Sequence, residues 1–250
     1  MTLRARLNSG EIVVGTFYKT PHPIILEVLA AAGFDTVVID AEHAPFGRAE
    51  IDTAILAGRG LGLDMVVRLP DERPATILQV MDAGAAGLLV PHVKTADQAG
   101  EIIRCMSYGA GGRGFAGTTR AAAYGKRSLR DHLAKDRDEV ALLCQIEDPD
   151  GVTNAADIAS VDGVDCLFVG RADLAVGSGK ADFFDPTIAQ STADILSITE
   201  TATGLYCAPH EELAAHCKAG AQLFIIGSEH AAILVGAPVS KWRDTLTTLK

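Results

Sequence analysis

Short β-branched runs recur along the chain, each followed by an Ala/Leu-rich stretch in which apolar positions return every three or four residues. The first pattern is that of buried strands and the second that of amphipathic helices. Strands are predicted at Ile12–Thr16, Thr36–Asp40, Met65–Leu69, Gly87–Pro91, Ala141–Glu147, Cys166–Val169, Leu205–Ala208 and Leu223–Ile226. Helices are predicted over Pro23–Ala32, Arg48–Arg59, Pro74–Ala83, Ala96–Met106, Gly151–Ser160, Thr187–Thr203 and Glu211–Ala219, with Ser228–Val235 and Trp242–Leu249 closing the chain. Pro23 and Pro74 stand near helix starts, and Gly33, Gly84, Gly204 and Gly220 where helices are expected to stop.

The strand runs are apolar throughout rather than alternating, which is what burial on both faces produces, so the sheet is expected to be parallel and covered by helices. Eight such units in 250 residues fit a single α/β domain folded as a (β/α)8 (TIM) barrel. A doubly wound sheet of about five or six strands fits less well. Two segments fall outside the repeat, the Gly-rich stretch Ser107–Asp138 and the loop Gly177–Pro186. In this architecture such insertions build or cover the site at the C-terminal barrel face.

A chain that is 48% hydrophobic and 22% charged has ordinary globular composition, which excludes disordered and fibrous classes. Its net charge of −10 repels nucleic-acid backbones and anionic membranes, so an anionic ligand must be held by a few focused cations or a metal. MTLRARLNSGE lacks the apolar stretch of a signal peptide and no apolar run approaches the ~20 residues that span a bilayer, so a cytoplasmic protein is expected. Cys105, Cys144, Cys166, Cys207 and Cys217 show no C-x-x-C spacing and read as structural thiols.

Side chains just past barrel strand ends converge on one face, and there the chain is unusually polar. It carries Asp40, Glu42 and His43 after the second strand, Arg68 ending the third, His92 and Lys94 after the fourth, Gln145 and Glu147 ending the fifth, and Asp173 after the sixth. Glu147 and Asp173 come from adjacent strand ends, each in an apolar frame. Two such carboxylates repel, so one is protonated, a divalent metal lies between them, or Arg171 or Arg68 pairs with them. The glycine cluster SYGAGGRGF follows a helix rather than a strand and reads as a loop, not a dinucleotide fingerprint.

The strings VVIDAEHAP (37–45), VVRLP (66–70), MDAGAAGLLVPHV (81–93), RGFAGTTRAAAYG (113–125), QIED (145–148) and VGRADLA (169–175) occur in an order and spacing that resemble the HpcH/HpaI aldolase family. The likeness runs from about Val14 to the last strand. It implies a metal-dependent class II pyruvate aldolase similar to 4-hydroxy-2-oxoheptane-1,7-dioate aldolases, acting on a small 2-oxoacid and an aldehyde. It implies Mg2+, Mn2+ or Co2+ held by Glu147 and Asp173, Arg68 on the donor's keto oxygen, and His43 as acid/base partner. Asp82 would orient His43 from its own or a neighbouring subunit, and Gln145 with the backbone near Ala172 and Asp173 would seat the 2-oxoacid. The resemblance also implies a homo-hexamer built as a trimer of dimers. The apolar C-terminal segment 231–250 (Ile233, Leu234, Val235, Val239, Trp242, Leu246) would pack on a neighbour.

These assignments are chemically coherent. A 2-oxoacid chelates one hard cation through carboxylate and keto oxygens, and a permanently charged guanidinium stabilises the developing enolate. The roles of Asp40 and Glu42 stay open between support and turn formation, that of Arg120 between an anion contact and a surface pair, and that of Arg171 between facing the metal and turning away. Three rival functions are a Schiff-base aldolase using Lys94, a related lyase acting on acyl-CoA thioesters, and a silent scaffold barrel.

Overall fold

The computed structural model describes residues 1–208 and 213–247; the side chains of Asp136, Arg137, Trp242, Asp244 and Leu246 stand outside that description. Elements follow in the order α1 (Leu3–Asn8), β1 (Val13–Tyr18), α2 (Ile24–Ala31), β2 (Thr36–Asp40), α3 (Arg48–Gly60), β3 (Asp64–Arg68), α4 (Pro74–Ala83), β4 (Gly87–Val90), α5 (Ala96–Met106) and α6 (Leu129–Glu139). Then come β5 (Ala141–Ile146), α7 (Pro149–Thr153), α8 (Ala155–Ala159), β6 (Cys166–Val169), α9 (Arg171–Gly177), α10 (Pro186–Leu196), β7 (Ala202–Cys207), α11 (Leu213–Ala219), β8 (Leu223–Ser228), α12 (Glu229–Gly236) and α13 (Val239–Thr247). The strands are all parallel and close in sequence order, β1 pairing with both β2 and β8. This is a (β/α)8 barrel with a C-terminal helical extension.

Alternation along each strand divides the core in two. Val37, Ile39, Val67 and Leu88 point outward and pack with Leu26, Ile55, Ile77 and Ile102 of the helix layer. Val38, Val66, Leu89, Leu143 and Phe168 point inward and fill the barrel. Because side chains on one face recur every second residue, Asp40 follows Val38 inward, Arg68 follows Val66, and Gln145 follows Leu143. The layers that fill the barrel thus end in polar residues at its C-terminal face, and the site is built on rigid strands.

The differences from the expected elements have local causes. A helix, α1, was not expected at the N-terminus; the Thr2 hydroxyl accepts from Ala5 N at 3.3 Å to cap it, and Leu3 and Leu7 are both buried within the barrel cluster. The stretch Ser107–Asp138 contains α6, whose charged sequence hides it from a hydrophobic count but whose Ser128 cap accepts from Asp131 N at 3.1 Å. The helix expected over 151–160 is two, α7 and α8, separated at Asn154, whose side-chain amide donates to the Lys94 carbonyl at 2.8 Å. The helix expected to reach Thr203 stops at Leu196, and Ala202–Gly204 belong to β7, so Gly204 is a strand residue rather than a helix stop. The expected loop after β6 opens with a further short helix, α9. Residues 211 and 212 of one expected helix, and 248 and 249 of the last, lie outside the described residues, as do the side chains of Trp242 and Leu246. No described helix is long and apolar enough to cross a membrane.

All five cysteines are thiols: Cys105, Cys144, Cys166 and Cys207 are buried and Cys217 is exposed. Burial pushes the Cys144 thiol well up, as expected of a core sulfhydryl rather than a nucleophile.

Candidate active site

Register sets the first part of the site. Asp40 and Arg68 are paired across β2 and β3, and the Arg68 guanidinium donates from Nε at 3.0 Å and Nη2 at 2.8 Å to the fully buried Asp40 Oδ1. The same oxygen accepts from His43 N at 3.0 Å, and Lys19 Nζ lies 3.0 Å from Oδ2. Burial alone would raise the Asp40 pKa, but the Arg68 charge and these donors outweigh it and hold the carboxyl below its ordinary value. Asp40 therefore supports Arg68 and ties down the turn bearing His43, which decides its open role. Glu42 Oε2 stands 3.4 Å from Arg68 Nε and 3.6 Å from His43 Nε2, so it borders both cations. The Arg68 guanidinium also stacks 4.6 Å from the centre of the Phe17 ring.

The second part lies across the barrel. Glu147 is 2% exposed, just past β5, where its Oε1 accepts from His92 N at 2.9 Å and its Oε2 from the Gln145 amide. Gly170 has room for no side chain, because a Cβ there would lie 2.6 Å from Glu147 Oε2. Burial first, and the neighbouring Asp173 charge as well, push the Glu147 carboxyl up to about 7. Asp173 sits in the exposed first turn of α9 beside Ala172. Arg68, Gln145, Gly170, Ala172 and Asp173 line one cleft of about 120 Å³, walled by Phe17, Phe168, Phe183 and Tyr206.

The donor set fits a hard divalent cation. Glu147 and Asp173 offer carboxylates within electrostatic reach of each other, and Gln145 Oε1 is buried with no hydrogen-bond partner. A cation would offset the burial, and the smaller effect of the Asp173 charge, that raise Glu147. Among the described residues no group of three His, Cys, Asp or Glu side chains gathers to hold a metal. Two carboxylates with the remaining positions left to substrate and water is, however, how Mg2+-type ions are commonly bound.

Other expected residues fall elsewhere. Asp82 lies in the last turn of α4, at the barrel end opposite the C-terminal ends of the strands, with its carboxylate 3.4 Å from Arg113 Nη1; burial raises its pKa. Within one chain it does not meet His43. Arg120 makes two bonds to Asp52, at 2.7 and 3.1 Å, and one to the Ala83 carbonyl at 2.8 Å, so it is a structural pair. Arg171 turns its guanidinium to the Tyr206 carbonyl at 2.7 Å and over Phe183 at 5.4 Å, forming part of the cleft wall. Lys94 is half-exposed and paired to Asp148 at 3.2 Å, not desolvated as a Schiff-base lysine requires.

Two contributors escaped the reading of the sequence. Lys19 follows directly on β1, but the strand was expected to end at Thr16, which removed Lys19 from the strand-end set. His92 was noted as a strand-end residue, yet nothing local signals that its main chain serves Glu147.

The profile of the HpcH/HpaI aldolase/citrate lyase family matches residues 14–229. A hydroxypyruvate/pyruvate aldolase of Roseovarius nubinhibens is 34% identical over 248 residues, 97% of this chain and 96% of the relative. A 5-keto-4-deoxy-D-glucarate aldolase of Klebsiella pneumoniae is 36% identical over 177 residues, covering 70% of this chain and 68% of the relative. In the crystal structure of an HpcH/HpaI aldolase/citrate lyase family protein from Burkholderia cenocepacia J2315, 98% of the chain superposes on 99% of this one, with TM-score 0.89 and 31% identity.

Proposed function

The chain belongs to the HpcH/HpaI aldolase/citrate lyase family, and on that premise we propose that it is a divalent-metal-dependent class II aldolase. It cleaves and forms 4-hydroxy-2-oxoacids, with pyruvate or hydroxypyruvate as enolate donor and an aldehyde as acceptor. The observation that carries this reading is the meeting of a braced guanidinium with Gln145 and Asp173 in one cleft, the buried Glu147 behind them.

Glu147 and Asp173 would hold Mg2+, Mn2+ or Co2+, which when bound supplies Lewis acidity toward a chelating 2-oxoacid. Gln145 and the backbone near Ala172 and Asp173 help seat the 2-oxoacid. Arg68 faces the keto oxygen and stabilises the negative charge that develops there on C3 deprotonation; it needs no proton of its own to do so. Asp40 keeps that guanidinium from rotating away, which preorganises the charge. His43, on a turn pinned by Asp40, carries protons to and from the aldol oxygen through water. The aromatic walls exclude bulk water from the enolate.

The same reading makes the protein a homo-oligomer, a hexamer arranged as a trimer of dimers. It is supported by exposed apolar side chains on α12 and α13: Ile233 at 62%, Leu234 at 78%, Val235 at 63% and Val239 at 50%. Asp82 lines a surface groove of about 720 Å³ between α3 and α4, and in the hexamer it would orient the His43 of a neighbouring copy.

The deciding experiment is metal content and turnover of Glu147→Ala and Asp173→Ala, assayed on a panel of 2-oxoacids, aldehydes and acyl-CoA thioesters with added Mn2+, Mg2+ or Co2+. Both variants are expected to keep their circular dichroism and lose bound metal and nearly all aldol turnover. Wild-type metal content in both would remove the assignment.

A further inference from the structure

His92 is a non-glycine residue with φ of 57°, at the end of β4 beside the carboxylate assigned to the cation. Histidine enters this left-handed region sparingly, and such residues persist where surrounding contacts over-determine them. Here the contacts are explicit. His92 Nδ1 lies 3.0 Å from Asp148 Oδ2, and Asp148 Oδ1 is 3.2 Å from Lys94 Nζ. Gln98 donates to the His92 carbonyl at 3.2 Å and accepts from Lys94 N at 2.8 Å, fixing the two peptides that follow His92. The left-handed turn directs the His92 N–H at Glu147 Oε1, 2.9 Å away. Glu147 is thus gripped from two strands, by Gln145 within β5 and by the His92 main chain from β4.

We propose that His92 is a positioning residue: its imidazole, anchored on Asp148, locks the left-handed turn whose N–H sets the orientation of Glu147 toward the divalent cation shared with Asp173. This rests on the metal reading above. A ligand carboxylate that can rotate binds a cation less tightly, and loss of such outer contacts typically weakens metal affinity about 10–100-fold. His92 Nδ1 also lies 3.4 Å from Glu147 Oε1, so the imidazole borders the carboxylate it positions, while the N–H, held by the anchor to Asp148 and by tolerance of positive φ, sets its orientation.

The test is Mn2+ affinity of the full chain without substrate, measured by isothermal titration calorimetry. Thermal unfolding of each variant monitors the fold. His92→Gly keeps the N–H and accepts the positive φ, but loses the anchor; Asp148→Ala removes the other end of the same contact. Each is expected to weaken Mn2+ binding by about tenfold or more. The double variant is expected to be no weaker than His92→Gly alone, because without the imidazole Asp148 has no hold on the turn. His92→Asn, which tolerates positive φ and still offers a side-chain donor, is expected to recover most of the affinity. Wild-type Mn2+ affinity in either single folded variant, or additive losses in the double, overturns the proposal. If His92→Gly does not fold, Asp148→Ala decides by the same criterion. A wild-type protein that binds no Mn2+ overturns the metal reading itself and this inference with it, a result distinct from wild-type binding that is unchanged in the variants.

Discussion

Arg68, at the end of β3, and His43, in the turn after β2, hold different parts of the proposed chemistry. Arg68 is 8% exposed, braced by Asp40 and facing the cleft, whereas the His43 side chain is 56% exposed at the rim. Arg68→Ala is therefore expected to abolish both aldol turnover and exchange of the C3 protons of pyruvate with solvent, since both pass through the same enolate charge. His43→Ala is expected to slow cleavage by about 10²–10⁴-fold while sparing exchange more. Deuterium incorporation into pyruvate followed by NMR compares the two, and equal loss of exchange and cleavage in His43→Ala would refute the division. Glu147 gives a pH signature of a different kind. Its folded pKa of about 7 lies above the ordinary 4.5, so between those values the native state keeps a proton that the unfolded chain releases. That contribution is complete below about pH 4.5 and fades as the pH rises through 7, at about 1.4 kcal/mol per pKa unit. Metal-free wild type is accordingly expected to lose melting temperature over that window relative to Glu147→Gln. Mn2+, which displaces the proton, is expected to bind more tightly as the pH rises. Parallel melting curves for the two proteins would count against it.

Among the elements, α1 illustrates how a short segment is made stable by what it covers. Six residues are far below the length at which an isolated helix persists in water. Leu3 and Leu7, at 0% and 2% exposure, nevertheless join the cluster that fills the barrel. Arg4 bonds Asp165 at 2.7 Å, and Arg6 pairs with Asp35 at 3.0 Å, tying the helix to the strand starts. Leu7→Ala is expected to cost about 2–5 kcal/mol in urea denaturation, as for other buried leucines, and a cost under about 0.5 kcal/mol would show that the helix is dispensable. Strands were the more legible elements, because a β-branched apolar run needs no distant partner to be recognised. Thr36–Asp40 and Cys166–Val169 have the expected ends, as do the helices Pro74–Ala83 and Ala96–Met106. The last two carry their own punctuation: Pro74 opens α4 and Gly84, at φ 80°, closes it, while Thr95 caps α5 through Gln98 N at 3.1 Å. Helices α1 and α6 have caps at Thr2 and Ser128, but α1 is only six residues long and α6 is mostly charged.

For the whole molecule, the cross-subunit role proposed for Asp82 depends on the oligomer. Static light scattering at micromolar concentration is expected to give a hexamer. Leu234→Glu, which places a charge on an apolar side chain 78% exposed in the single chain, is expected to dissociate it. Monomeric wild type would remove both the assembly and the Asp82–His43 contact. Loss of aldol turnover on dissociation, with each barrel still folded, would support completion of the site from a neighbouring copy.

The repeat of apolar runs and amphipathic stretches by itself determined the barrel, since burial on both faces leaves a parallel sheet few alternatives. It also determined where chemistry could occur, because strand-end positions are legible once the strands are. Arg68, Gln145, Glu147 and Asp173 were singled out on that ground, and the ordered motifs pointed to the family. Only the tertiary structure decided what holds those groups. Asp40 braces Arg68 through the β2–β3 register, Lys19 closes on Asp40 from β1, and the His92 main chain reaches Glu147 across 55 positions of sequence. Arg171 and Arg120, ambiguous in the sequence, were settled by partners at a carbonyl and a carboxylate far along the chain. Local pattern records which residues must be buried or polar. Which polar group meets which depends on strand register and barrel closure, and those arise only when distant segments pack together.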